Sequence, residues 1–254
     1  MRSPSPFDLT GRTALVTGAN TGIGQGIALA LAEAGATVVA AGRSGMSETL
    51  ALIEGSGGKA QALGVDLQQD GAAARAIDEA QALVGPLDIL INNAGIIRRA
   101  DALDFGEADW DEVMNVNLKA GFFLAQAFAK AALAQQRGGR IVNIASLLSF
   151  QGGIRVASYT ASKSGLAGLT KLLACEWAAK GINVNAIAPG YIESNNTQAL
   201  REDPDRNSAI LARIPAGRWG KPSDIGGAAV FLASDAAAYM HGAIIPVDGG
   251  WLAR

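Results

Sequence analysis

Residues 13–24 read TALVTGANTGIG. The first five are small, apolar or β-branched, as in a strand buried on both faces. They run without a linker into Gly18-Ala19-Asn20-Thr21-Gly22-Ile23-Gly24, and a periodic apolar stretch, 23–34, follows as a helix. A strand, a glycine turn and a helix in immediate succession form the opening half of a βαβ unit. Glycine permits positive φ and close approach of a ligand to the backbone. The helix start presents free N–H groups and the positive end of its dipole, a fit for a pyrophosphate. The spacing is G-x3-G-x-G rather than G-x-G-x-x-G. It is not a nucleoside-triphosphate loop, because no Gly-Lys-Ser/Thr follows. A tight turn without a ligand has the same residues, but this one falls at the first strand–helix junction, where such sheets hold dinucleotides.

Outward from this unit, β-type runs recur at 37–41 (TVVAA), 60–65, 87–92 (LDILIN), 140–144 (RIVNI), 183–188 (NVNAIA) and 243–247 (AIIPV). Helical patterns fill the gaps at 47–54, 71–83, 109–135, 157–179 and 223–233. The 60–65 run is the weakest strand, and Pro246 points to an edge position for the last one. Alternating strands and helices predict a fold of the α/β class: a single-domain doubly wound (Rossmann) parallel sheet with helices on both faces, spanning 1–254. The polar stretch 190–221, with Asn195, Asn196, Asp203 and Pro204, is predicted to be a mobile substrate lid.

Half of the 254 residues are apolar and the net charge is −2. Disorder and nucleic-acid binding are therefore not expected. No apolar run reaches the ~18 residues of a membrane helix and no signal peptide opens the chain, so a cytoplasmic protein without membrane association is expected. Cys175 is the single cysteine and His241 the single histidine. No internal disulfide can form, no metal site is expected, and Cys175 is predicted to be a small buried hydrophobe.

Further candidates fall at strand ends. Gly42-Arg43-Ser44 closes the second strand without the acid that would hold the ribose of NAD, and Arg43 can instead pair with the 2′-phosphate of NADP. Asp66, after the third strand, can accept from an adenine amino group or cap the next helix. Asn92-Asn93-Ala94-Gly95 lets a ligand lie against the backbone, or its amides tie strand ends together. Pro189-Gly190 ends the sixth strand. Tyr159 and Lys163, four apart on a helix, share a face about 5–6 Å apart at Cβ, with Ser146 thirteen residues upstream of Tyr159. A lysine charge there favours tyrosinate and is expected to lower a phenol pKa that is otherwise about 10. Such a tyrosine can move a proton to or from an alcohol or carbonyl oxygen.

TGANTGIG, NNAG at 92–95, Asn117 in NVNL, Ser146, Tyr159-x3-Lys163 and Pro189-Gly190, in this order, resemble the short-chain dehydrogenase/reductase family from Leu9 to the end of the chain. The resemblance implies hydride transfer between NAD or NADP and a carbonyl/alcohol pair. Ser146 would hold the substrate oxygen, Tyr159 would be the acid/base, Lys163 would lower its pKa and bind the nicotinamide ribose, and Asn117 would hold a proton-relaying water. It also implies a cofactor surface of Gly18, Asn20, Thr21, Gly22, Ile23, Gly24, Arg43, Asp66, Leu67, Asn93, Ala94, Gly95, Tyr159, Lys163, Pro189, Gly190 and Ile192, and a homotetramer. NNAGIIRRADAL, SLLSFQGGIRV, IAPGYIESNNTQ, RIPAGRWG and DGGWLAR look like members that act on sugar acids and lean towards NAD, whereas Gly42-Arg43 leans towards NADP. A sugar-acid substrate needs a carboxylate partner, for which Arg99 and Arg155, with Gln151 and Asn196, are the candidates. The alternatives are a reductase of another carbonyl, such as a 3-oxoacyl thioester or a polyol ketone, and a cofactor-binding regulator without turnover.

Overall fold

The computed structural model describes residues 5–254; the first four residues of the polar opening segment lie outside them. Among the described residues seven strands form one parallel sheet: β1 (Thr13–Thr17), β2 (Thr37–Gly42), β3 (Lys59–Gly64), β4 (Ile89–Asn92), β5 (Gly139–Ile144), β6 (Ile182–Pro189) and β7 (Ile244–Val247). Their order is β3-β2-β1-β4-β5-β6-β7. The chain builds outward from β1 to β3, then crosses back to lay β4 on the other side of β1. The strand order therefore reverses between β1 and β4, and the carboxyl ends of the strands open into a crevice there. β7 is an edge strand, as Pro246 requires, since its missing N–H would break a ladder on a central strand. β3, the other edge, is largely exposed, which accounts for its weak apolar signal.

The side-chain alternation of β1 shows how both faces are covered. Ala14 and Val16 pack with Ile27 and Leu31 of α1 (Gly22–Glu33), Ile53 of α2 (Ser47–Gly55) and Ile225 and Leu232 of α9 (Pro222–Ala233). Leu15 faces the other way, onto Ile77 of α3 (Ala72–Val84), Leu124 and Phe128 of α5 (Ala120–Ala134) and Leu173 of α6 (Ala157–Trp177). One doubly wound sheet with helices on both faces is thus the observed architecture.

Two expectations need correction, and one stretch gains detail. The helix read over 109–135 is interrupted: α4 (Glu107–Met114) and α5 flank a π-turn at Asn115–Lys119. An i→i+5 turn inserts one residue without changing the apolar character of the run, so periodicity does not report it. The stretch 190–221, read as a lid, contains helical segments. It holds α7 (Gln198–Glu202) and α8 (Pro204–Arg213), and α8 is started by Asp203, whose Oδ1 accepts from the N–H groups of Asp205 and Arg206, with Pro204 in the first turn. Asp-Pro is a helix-start signal that polarity concealed. Cys175 is exposed rather than buried. Thr170, Leu173 and Ala174 form the inward stripe of α6, and one residue further on the helix has turned about 100° away.

Candidate active site

The glycine turn lies where the strand order reverses. Gly18 adopts φ +64°, and a Cβ on it would meet the Ala94 backbone at 3.0 Å. A Cβ on Gly24 would collide with the Gly18 carbonyl oxygen and with Asn93 Nδ2. The helix start is thereby drawn tightly onto β1 and β4. The Thr21 side chain makes no capping hydrogen bond to the first turn of α1, which leaves those N–H groups for an anion.

From this turn a cleft of about 400 Å³ crosses the carboxyl edge of the sheet. Of the predicted cofactor residues, Gly18, Asn20 to Gly24, Arg43, Asn93 to Gly95, Tyr159, Lys163, Pro189, Gly190 and Ile192 line it, as do Ser146 and Asn196. Asp66 and Leu67 line an adjoining recess of about 170 Å³ that shares Gly18, Asn20, Arg43 and Gly95 with it. Asp66 Oδ1 also accepts from Gln68 N at 3.1 Å, so it closes its own turn as well. Sequence reading did not single out Ile144, Ala145, Ser194 or Thr197, which complete the cleft together with Asn195 of the predicted lid. Ile144 ends β5 and Ala145 follows it, at the carboxyl edge where the other sites cluster, and Ser194 and Thr197 belong to the stretch that follows β6; those positions are the signal that could have found them.

The asparagines at the end of β4 take the architectural alternative. Asn93 Nδ2 donates to the carbonyls of Thr17 and Gly18 at 2.9 and 3.1 Å. Asn92 Nδ2 donates to Asn143 Oδ1 at 2.9 Å and to Gly121 O at 3.1 Å. Asn143 Nδ2 donates in turn to Thr170 of α6 at 2.9 Å. This buried chain fixes β4, β5 and α6 to one another, and so fixes where α6 presents Tyr159 and Lys163.

Ser146 follows β5 and opens the short turn Leu147–Ser149. Ser149 Oγ donates to Lys163 O at 2.8 Å and Ser164 Oγ to Leu148 O at 3.1 Å, so the serine turn is stitched to α6. Lys163 is buried; its Nζ donates to Ile144 O at 2.6 Å and lies 5.6 Å from the centre of the Tyr159 ring. Burial pushes the Lys163 ammonium down to about 8. Burial also pushes the Tyr159 phenol up, against a smaller downward pull from the Ser146 hydroxyl and the positive charge of Arg99. The expected lowering of the phenol by Lys163 is therefore not observed. Lys163 loses its proton near pH 8, below the range in which the phenol titrates, so it carries no charge there to oppose the desolvation of tyrosinate. At neutral pH Tyr159 is a neutral O–H donor.

Asn117 sits in the π-turn with its side chain buried. Its Oδ1 accepts from Ile96 N at 2.8 Å, and its Nδ2 donates to Ile96 O at 2.9 Å and to Ser162 Oγ at 3.3 Å. Both amide protons are used, and one lone pair of Oδ1 remains for a water.

The substrate candidates divide. Arg99 Nη2 donates to Asn196 O at 2.8 Å, and Arg99 stands close enough to Tyr159 for each to shift the other's ionisation. Arg155 is exposed, pairs with Asp101 at 3.3 Å and holds φ +63°. Gln151 lies away from the cleft lining: its Oε1 accepts from Trp251 Nε1 at 3.1 Å and from Arg213 Nη2 at 3.4 Å. Among the described residues no group of three or more His, Cys, Asp or Glu is placed to hold a metal, and no helix is long and apolar enough to cross a membrane.

The chain is similar to known proteins over nearly its whole length. Residues 18–252 match the family described as enoyl-(acyl carrier protein) reductase. The chain is 56% identical over 250 residues to 2-dehydro-3-deoxy-D-gluconate 5-dehydrogenase of Escherichia coli K12, covering 98% of this chain and 99% of that protein. It superimposes with a TM-score of 0.93 and 67% identity on an Agrobacterium tumefaciens protein provisionally described as a 2-deoxy-D-gluconate 3-dehydrogenase, crystallised with bound NADP; the match covers 98% of this chain and 100% of that one. A gluconate 5-dehydrogenase of Burkholderia cenocepacia, solved with NADP and tartrate, superimposes with a TM-score of 0.92 at 40% identity, over 98% of each chain.

Proposed function

The chain belongs to the short-chain dehydrogenase/reductase family, an NAD(P)-dependent oxidoreductase acting on CH–OH groups, and from that premise we propose that it interconverts an alcohol and a ketone on a sugar acid of the 2-deoxy-D-gluconate or 2-dehydro-3-deoxy-D-gluconate type. The observation that carries the reading is the meeting of Ser146, Tyr159 and Lys163 in the cleft that begins at the glycine turn. The fit of a dinucleotide rests on that turn, whose backbone a Cβ would fill, and on the uncapped start of α1. When bound there, a nicotinamide supplies or accepts the hydride. The protein's residues handle the oxygen. Ser146 hydrogen-bonds it, and Tyr159, neutral at pH 7, donates the proton that a nascent alkoxide needs. Lys163 fixes the site by its bond to Ile144 O, and Asn117 holds the Ile96 backbone behind it.

Gly42-Arg43-Ser44, with no acid after β2, favours NADP over NAD. Arg99 beside Tyr159 favours an anionic substrate. One domain serves for cofactor and catalysis, and residues 190–221 serve as a lid, since Ser194 to Thr197 line the cleft. Exposed Phe123 and Leu133 on α5 and Leu172 on α6 favour assembly as a homotetramer through those helices, and a reaction drawing on the nicotinamide pool belongs in the cytoplasm. The test is a turnover panel of 2-deoxygluconate, 2-dehydro-3-deoxygluconate, a 3-oxoacyl thioester and an apolar ketone, each with both cofactors, for the wild type and Tyr159→Phe. Sugar acids are expected to turn over fastest, and the variant is expected to bind cofactor without turnover. Faster turnover of the thioester or apolar ketone sinks the substrate assignment, and an active Tyr159→Phe sinks the mechanism.

A further inference from the structure

We propose that Arg206, in the first turn of α8, is a specificity-determining residue that closes with Arg99 on the carboxylate of the substrate; this rests on the sugar-acid reading above. The placement follows from how α8 is seated. Ile210 and Ile214 form its buried face, in a cluster with Leu147, Trp219 and Trp251. Leu147 is the residue after Ser146, so this face of α8 is turned towards the serine turn of the active site. Arg206 stands one helical turn before Ile210 on the same face. Arg206 is exposed at the N-terminal end of that helix, within the lid stretch that follows β6.

The electrostatics agree with that position. Burial is the larger influence on both Arg99 and Tyr191; beside it the positive charge of Arg206 acts on Arg99, opposing its protonation, and on Tyr191, which packs against the same cluster. Arg99 in turn acts on Tyr159 and is held to the lid through Asn196 O. Arg155 also contributes repulsion to Arg99, but it has its own carboxylate in Asp101. Asp203 spends Oδ1 on the N–H groups that start α8. Among the described residues neither Arg206 nor Arg99 has an ion-pair partner. Two guanidinium groups brought into one another's field beside a proton donor, with no anion between them, are an unfavourable arrangement that an anionic ligand converts into a favourable one. Guanidinium forks match the two oxygens of a carboxylate. One group comes from the body of the protein and the other from the lid, so a substrate carboxylate would also draw the lid shut.

The experiment compares kcat/KM for a sugar acid with kcat/KM for its carboxamide, the uncharged isostere, at saturating NADP, in the wild type, Arg206→Gln and Arg206→Lys. The expected result is a fall of about tenfold or more in the acid-over-amide preference in Arg206→Gln, the scale of one charge-assisted hydrogen bond, with part of it restored in Arg206→Lys. A general disturbance of the lid lowers both substrates together and leaves the ratio intact. A ratio unchanged within twofold in Arg206→Gln overturns the inference while leaving the sugar-acid reading standing. A wild-type enzyme that turns over no sugar acid with either cofactor overturns that reading, and this inference with it.

Discussion

Replacing Lys163 by Met should make the cofactor-free protein more stable at neutral pH while ending its usefulness as an enzyme. Lys163 is 4% exposed, and burial alone brings its ammonium from an ordinary 10.5 down to about 8. At about 1.4 kcal/mol per pH unit, that drop means the fold carries a penalty of roughly 3 kcal/mol for holding the charge. Methionine fills similar volume without the charge, but it leaves Ile144 O without its 2.6 Å donor, a loss of about 1–2 kcal/mol. The net expectation near pH 7 is a gain of roughly 1–2 kcal/mol, or a few degrees in Tm for a chain of this size. The sign with pH is determined by the lowered folded value. Between about 8 and 10.5 the unfolded chain binds the lysine proton and the folded one does not, so wild-type stability rises with pH through that window relative to the variant. The variant's advantage should shrink from pH 8 upward. Above about 10.5 it should reverse, because only the lost hydrogen bond remains. Urea unfolding midpoints of both proteins, without cofactor and at one fixed protein concentration, measured at pH 7, 8.5 and 10.5, read this directly. A variant less stable than wild type at pH 7, or a difference that is flat across the window, would refute the assignment of a buried, destabilising charge.

Two other substitutions probe the cofactor end. Gly24→Ala would drive a methyl into the Gly18 carbonyl and Asn93 Nδ2, so it should weaken NADP binding at least tenfold and lower stability by about 1–3 kcal/mol; calorimetric titration and thermal melting check both, and wild-type affinity would show that the turn is not held as tightly as its geometry implies. Arg43→Asp places an acid after β2 where the sequence has none, so it should shift kcat/KM preference towards NAD by tenfold or more, and an unchanged preference would remove Arg43 from the 2′-phosphate site.

Much of the fold was legible because its signals are local. Buried parallel strands read as apolar runs, and the seven runs of the sequence became the seven strands of the sheet, down to the edge position announced by Pro246. The same holds for the glycine turn, since a strand that enters a helix through Gly18 and Gly24 has few other ways to pack. The π-turn at 115–119 and the exposure of Cys175 were misread, each for want of a signal that periodicity carries, and the start of α8 at Asp203-Pro204 lay unread inside a polar stretch. Cluster membership was harder still. Nothing in the sequence separates Arg206 from other polar residues of 190–221, and the bond from Trp251, a hundred residues away, to Gln151 Oε1 appears only in the fold.

By itself the sequence determined which chemistry is present: a serine, a tyrosine and a lysine at helical spacing, a glycine turn for a dinucleotide, and the order in which strands and helices follow. Tertiary structure alone decided the electrostatic state of that chemistry. Spacing places Lys163 beside Tyr159 and suggests that it acidifies the phenol. Desolvation of both side chains, made by strands and helices far apart in the chain, instead raises the phenol and lowers the lysine to about 8. A pKa depends on solvent exclusion and on every nearby charge, and neither is a property of neighbours in sequence.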